Sequence, residues 1–359
     1  MNPVMHVEVE TRRLAASTGN SQAWLTALCL CAALAFVAWA AESSILLPAS
    51  FADRYALMKS EASGWATARF PASVLPTFRN FAALALSPLL YLGFAAVLAA
   101  ERLAPADRDQ RPFCRGVVHD GIAWYFINTP LRAFVFVGAV GLFYFVFDNF
   151  APFLRISPEL TSAVPMWILA VAAVVVADLM KWLQHYVHHK VALLWHFHSV
   201  HHSQRELNLF TQARFHALEM ATLAPIMYLP LYMLNLDFTL AVWILLITEW
   251  HGRVTHANLR TNFGPLRYVF VTPQSHRIHH SRDSRHHDQN FGTLFSFWDR
   301  LFGTQWPDHE EYPATGIADE SFPLEKSVSP SSVLANYFAQ LVYPFQRIVR
   351  SRRDSDGGS

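Results

Sequence analysis

Long apolar runs mark the chain at residues 22–41, 82–100, 131–149 and 163–180. Each approaches the roughly 20 residues that an α-helix needs to cross a bilayer. A further apolar stretch, 221–250, is interrupted by Pro225, Pro230 and the Asn-Leu-Asp of 235–237, and it predicts two short helices in a hairpin that need not cross fully. Residues 1–21 are polar and are expected to be disordered, and 307–330 reads as a linker of Pro, Ser and acidic residues. Residues 331–350 predict an amphipathic helix lying on the bilayer, with a basic end where RSRRD follows. The pattern as a whole predicts an all-α fold, an integral membrane helical bundle. The first run, preceded by Arg12 and Arg13 and containing Ala-Trp-Ala at 38–40, also reads as a signal peptide.

Composition sharpens this picture. Apolar residues make up 53% of the 359 and charged residues 15%, well below the roughly 25% of soluble domains. A net charge of +1 and the absence of a long Lys/Arg run exclude nucleic acid as a partner. Cys29, Cys31 and Cys114 show no CxxC spacing, which argues against a disulfide framework or a thiolate site.

The polar positions that matter are histidines. Of 18, 15 fall between residues 185 and 287, and none lies in the middle of a long apolar run. His, two residues, His, His occurs twice: His198, His201 and His202 in WHFHSVHHSQRE, and His276, His279 and His280 in SHRIHHS. His185 and His189 follow the fourth run, and their four-residue spacing puts both on one helical face. In each triplet the first and last histidines share a face in the same way.

Neutral imidazole suits zinc, copper, iron and nickel, whereas carboxylate-rich sites suit magnesium, calcium or manganese. A single structural zinc is closed by four ligands. Two triplets and a pair give eight, which points to two ions side by side. A pair of irons activates dioxygen and inserts oxygen into an unactivated C–H bond, a task beyond ordinary side chains. Isolated histidines carry no such implication: His6, His119 and His309 read as hydrogen-bonded interfacial residues, and His188, His196, His286 and His287 lie off the repeated pattern.

These segments resemble the fatty acid hydroxylase superfamily, also called the sterol desaturase family, of membrane di-iron oxygenases. The matching stretches are DLMKWLQHYVHH (178–189), LLWHFHSVHHSQRELNLFTQARFHALE (193–219), THANL (255–259) and LRYVFVTPQSHRIHHSRDSRHHDQNFGTLFSFWDRLFGT (266–304). The likeness covers residues 163–306. It divides the chain into a disordered tail (1–21), an N-terminal transmembrane region (22–162), a catalytic domain (163–306) and a linker, amphipathic helix and basic tail (307–359). It implies that His185 and His189, then His198, His201 and His202, then His276, His279 and His280 hold metal, with His256 of THANL as a ninth ligand. His216 and His251 are candidates for ligation or for orienting ligands. Asp178, Glu219, Glu249 and Asp288 are acidic residues suited to orienting imidazoles through the second ring nitrogen, Asp178 foremost because it lies two turns before His185 on the same face. Tyr186 stands where many members carry arginine. Trp182, Trp195 and Trp250 read as membrane-interface anchors.

What the resemblance implies is a lipid substrate, such as a sterol or fatty acyl chain, hydroxylated or desaturated with dioxygen. Two iron ions are the expected cofactor, with zinc as a substitute. The sequence carries no GxGxxG or haem-binding module, so neither bound flavin nor haem is expected and electrons come from a separate protein such as a ferredoxin or cytochrome. Even crossings keep the clusters on one side. With the N-terminus inside, Arg12, Arg13, Arg102, Arg108, Arg111, Arg115 and the arginines from 347 onward all become cytoplasmic, which predicts a cytoplasmic histidine-rich cap in the inner membrane. Two rivals are a histidine-rich metal transporter or sensor, which wants ligands near the membrane midplane, and a catalytically silent member of the family.

Overall fold

A computed structural model describes residues 88–356 apart from 112, 158, 160, 162 and 235–237. The expected span 22–41 lies outside these residues. The chain divides into two compact units, 1–104 and 105–359. In the first, α1 (Pro88–Leu103) covers most of the run expected over 82–100.

In the second unit, α2 (Arg115–Phe150) and α3 (Met166–Lys190) are long and apolar enough to cross a membrane. Phe134, Leu142, Phe145 and Phe150 on α2 and Trp167 and Val171 on α3 are exposed. A helix apolar on both its packed and its outward face suits lipid rather than water. α3 extends ten residues beyond the expected end of its apolar run and carries the first histidine motif on its last two turns. The chain breaks at Val191 and re-enters α4 (Ala192–His202), which carries the second.

α5 (Glu219–Met233) and α6 (Phe238–His256) form the two arms of the expected hairpin. Pro225 and Pro230 both lie inside α5 without ending it. α5 packs on α2 and α3, burying Met227, Tyr228, Leu231 and Tyr232 against Phe143 and Ala173.

The polar cap is built from short elements. α7 (Pro273–His279) has only seven residues and starts from a reciprocal cap: Thr272 Oγ1 accepts from Ser275 N at 3.0 Å while Ser275 Oγ accepts from Thr272 N at 2.9 Å, with Pro273 in the first turn. Such a box stabilises a helix too short to persist alone. α8 (Phe297–Leu301) closes the NFGT segment. The long α9 (Pro330–Asp356) is longer than expected, and it does not lie on the surface alone. Val333, Tyr337 and Tyr343 are buried with Trp124, Val200 and Ala213, and Tyr337 Oη donates to Asn128 Oδ1 at 3.0 Å. Its other face, Leu334, Phe338, Val342, Phe345 and Val349, stays exposed.

The stretch 307–329 is irregular but not loose. Gly316 N donates to His280 O at 3.0 Å, Arg282 N to Ala314 O at 3.1 Å, and Phe322 is buried. Its Glu325 joins a buried charge triad that the sequence did not reveal. Arg214 Nη1 meets Asp120 at 2.7 Å and Arg214 Nη2 meets Glu325 at 2.7 Å, with the guanidinium fully buried. Arg214 Nε also donates to Val200 O at 3.0 Å, so the triad fixes the end of α4. Asp120 sits in a π-helical stretch of α2, Asp120–Ile127, and accepts further hydrogen bonds from Gln204, Asn208 and Thr211.

Arg214→Met leaves two buried carboxylates without their cation, which costs on the order of 3–5 kcal/mol. The expected result is a large fall in the thermal midpoint of the detergent-solubilised protein. An unchanged midpoint removes the triad from the account of stability.

Candidate metal centre

The nine histidines expected to hold metal come together as two adjoining groups. His185, His189, His198, His202 and His279 form one, and His201, His256, His276 and His280 the other. Within each group the ligand-capable nitrogens all lie within 4.8 Å of one another. Each triplet is divided between the groups. On α4, His198 and His202 turn to the first and His201 to the second; on α7, His276 and His280 turn to the second and His279 to the first. The groups touch where the His202 and His280 rings stack at 4.3 Å.

Ring orientation follows from what holds the far nitrogen. His185 Nδ1 donates to Phe291 O at 2.9 Å and His279 Nδ1 to Gln289 O at 2.8 Å. A carbonyl can only accept, so both rings carry their proton on Nδ1 and present a bare Nε2 lone pair. Those two Nε2 atoms lie 2.9 Å apart. Burial pushes His279 down to about 3, so no proton bridges them near neutral pH. Two facing lone pairs at this distance repel unless a cation stands between them. Metal–imidazole bonds of about 2.0–2.1 Å place neighbouring ligand nitrogens roughly 2.9–3.4 Å apart, and the observed spacing is in that range. In the second group His256 Nδ1 donates to Gly252 O, and its Nε2 stands 3.0 Å from His201 Nε2 and 2.8 Å from His276 Nε2. His198 Nε2 and both nitrogens of His280 are buried with no hydrogen-bond partner. Burial and the neighbouring imidazoles hold His201, His202, His276 and His280 well below the ordinary histidine range, in the neutral form that ligates. An all-imidazole donor set of nine fits two borderline transition-metal ions.

Carboxylates divide into two roles. Glu219 Oε2 accepts from His198 Nδ1 at 2.8 Å, the expected orienting contact. Asp288 approaches His189 Nδ1 at 3.8 Å and pairs with Lys190. Asp178 does something different from the expected orientation of an imidazole. It accepts from Thr293 Oγ1, Leu294 N, Phe295 N and Trp298 Nε1 at 2.7–3.1 Å, clamping the loop after the last histidine motif. A helical-face argument places Asp178 correctly but cannot see a loop 115 residues away competing for its oxygens. Asp299, which sequence reasoning missed, does the same for the other side of that loop: it takes Trp182 Nε1, Phe291 N, Gly292 N and Thr304 Oγ1. The signal for both was the NFGTLFSFWDRLFGT motif. Asn290 there has φ 57°, and a Cβ at Gly292 would come within 2.8 Å of Asp299. Only after this loop is fixed does Phe291 O face His185.

His216 and His251 lie outside both groups. His216 donates from Nε2 to Leu341 O at 3.2 Å and accepts from Leu218 N, which joins α9 to the cap. Glu249 faces Arg132 and Arg253 rather than a ligand, at 4.0 and 3.4 Å. Trp182, expected as an interface anchor, is buried, and the Trp195 ring lies 4.9 Å from that of His189. His119 is buried and hydrogen-bonded to Ser327 O.

Two cavities reach the histidines and share no lining residue. One, of about 130 Å³, is walled by His185, His198, His201, His256 and His276 on one side and by Phe215, Met220, Leu223 and Met227 on another. The other, of about 390 Å³, has a more polar lining than the first and reaches His189, His202 and His279 from among Asp288, Asp319 and Arg347.

The fatty acid hydroxylase family matches residues 170–304, the stretch that holds all nine histidines. This stretch is similar to fatty acid hydroxylase domains. Relatives include an ornithine lipid hydroxylase from Rhizobium tropici, 31% identical over 51% of this chain and 52% of its own. Alkylglycerol monooxygenases from Caenorhabditis elegans and Homo sapiens are 32% and 33% identical over 39% and 35% of this chain and 28% of theirs. The chain thus spans about half the length of the first relative and less than a third of the other two. No solved structure matches it significantly. The clamp residues Asp178 and Asp299 lie inside the matched stretch, whereas α9 and the 307–329 segment that back it lie outside.

Purified protein is expected to hold about two transition-metal ions per chain. His279→Ala and His256→Ala each remove one ligand from a different group, and elemental analysis should show metal loss in both while the protein stays folded. Full metal content in both variants sinks the assignment. For metal-free protein the sign of the pH dependence is fixed. His279 binds its proton only near pH 3 when folded but near 6.5 when unfolded, so stability is complete above 6.5 and declines as pH falls towards 3. Unfolding midpoints that rise over that fall contradict the neutral, buried state.

Proposed function

We propose that this protein is a membrane di-iron oxygenase that hydroxylates a lipid, with the histidine cap on the cytoplasmic face. The observation that carries the reading is the juxtaposition of nine imidazoles, arranged as two ion sites, with a cavity whose far wall is apolar and built from α5. When bound, a pair of iron ions supplies dioxygen activation and the oxidising power needed to break an aliphatic C–H bond. The net reaction consumes the lipid C–H, one dioxygen, two electrons and two protons, and yields the lipid alcohol and water. Desaturation at the same site removes two hydrogens instead.

The chain's own residues supply position and environment. Phe291 O, Gln289 O, Gly252 O and Glu219 fix the rings of His185, His279, His256 and His198, so the donor atoms are aimed before any ion arrives. Phe215 stacks on His201 at 4.0 Å and, with Met220, Leu223 and Met227, offers an alkyl chain a dry path to the imidazoles. Dryness matters because it keeps water from competing with the C–H bond. The second, more polar cavity suits the approach of a one-electron donor protein, such as a ferredoxin or cytochrome, since it reaches the other ion-facing histidines without crossing the lipid path. The lipid names of the relatives support the same substrate class.

Membranes containing the protein should convert a lipid to a product heavier by one oxygen, dependent on dioxygen and on an external reductant, with oxygen-18 gas labelling the product. His280→Ala should yield none. Product formed without dioxygen, or with oxygen taken only from water, marks a hydrolytic centre instead; stoichiometric iron with no oxygen uptake favours a transporter or sensor. Thiol labelling at cysteines introduced near residues 205 and 283 should report the cytoplasmic side for both, and opposite sides rule out a shared site.

A further inference from the structure

The cavity beside the imidazoles carries two cations that metal binding does not require. Arg132 and Lys181 both line it, and each stands on a helix long and apolar enough to cross a bilayer. A cation in such a helix is costly to keep and marks a functional contact.

Glu219 and Glu249 line the same cavity, but among the described residues no carboxylate comes closer than 4.0 Å to either cation. The Arg132 side chain is 13% exposed; its Nη1 donates to Ala213 O at 3.1 Å, and Nε is buried with no acceptor. Glu249 is 4.0 Å from Arg132 and is approached more closely, at 3.4 Å, by Arg253. Lys181 Nζ reaches the neutral Thr248 Oγ1 at 3.1 Å. Asp178, one turn before it, has both oxygens taken by the 293–298 loop.

Their placement ties them to the reacting end of the cavity. Lys181 precedes His185 by four residues, so the two share a face about 6 Å apart along α3. The Arg132 guanidinium lies 5.4 Å from the centre of the Phe215 ring, which stacks on His201 at 4.0 Å and lies 6.1 Å from the His198 ring. Each cation is therefore one step from an ion-facing imidazole. Apolar Leu223 and Met227 line the same cavity, leaving a path for a chain.

We propose that Arg132 and Lys181 receive an anionic group of the substrate, a phosphate or a carboxylate, so that the oxidised C–H bond lies within a few bonds of that group rather than far along the chain. This rests on reading the cavity as the lipid site. Charge-assisted hydrogen bonds from a guanidinium and an ammonium are the strong kind, and a water-poor cavity strengthens them.

The test uses full-length protein loaded with zinc, which has no redox chemistry and so cannot turn the lipid over. Equilibrium binding of 1-oleoyl-lysophosphatidate, oleate and 1-oleoylglycerol in neutral detergent micelles compares a phosphate, a carboxylate and an uncharged head on one chain. At least one anion should bind about tenfold or more tightly than the neutral lipid, and which one does so identifies the group. Lys181→Met and Arg132→Met should each abolish most of that preference while leaving 1-oleoylglycerol binding and metal content unchanged, and Lys181→Arg should restore it. Equal binding of all three lipids, or a preference that survives in Lys181→Met, overturns the proposal. If Arg132→Met loses metal, its role is structural and the Lys181 pair decides alone. Failure of the oxygenase reading would appear in the oxygen-dependence assay and leave these binding ratios untouched. In the active enzyme, a product hydroxyl mapped to the distal chain refutes the positional part.

Discussion

Bare imidazole lone pairs pointed at one another are the constraint around which this molecule is organised. A buried histidine ordinarily finds one donor and one acceptor and becomes inert. Here His185 and His279 commit their protons outward, to Phe291 O and Gln289 O, and are left with Nε2 atoms 2.9 Å apart. That arrangement is unfavourable for the protein alone and favourable for a protein holding cations. The surrounding structure must resist the relaxation that would let the rings swing apart.

That resistance comes from buried acids used in unlike ways. Glu219 touches a ring directly. Asp178 and Asp299 never meet an imidazole, yet they gather eight donors between them and fix the loop whose carbonyl orients His185. Asp120 and Glu325 act one layer further out, through Arg214 and the end of α4. Half-satisfied polar networks are liabilities in a dry interior, and fully satisfied ones rigidify. The NFGT segment shows how local these demands become: a left-handed asparagine and a glycine with no room for a Cβ are both set by Asp299 and its loop.

Much of this was legible in the sequence because it is periodic or local. The i, i+4 spacing of His185 and His189, and of the outer members of each triplet, predicts shared faces, and those pairs do fall within single groups. Apolar run length located α2 and α3, and the interrupted stretch gave α5 and α6. What escaped depends on contacts between distant residues. Nothing near Asp178 reveals that residues 293–298 will occupy its oxygens, and nothing in 307–330 reveals that Glu325 will neutralise Arg214. The division of each triplet between two groups was likewise hidden, because it depends on how α4 and α7 face each other.

The contact of Gly316 N with His280 O, together with Glu325 on Arg214 and α9 on Trp124, ties the last part of the chain to the histidine cap. Residues 170–304 carry the donors, but their rigid seating draws on residues up to 343, in the same compact unit that begins at Pro105. During synthesis the imidazoles leave the ribosome well before the segments that brace them. A chain truncated after the final histidine motif would therefore carry the nine imidazoles without the segments that brace them.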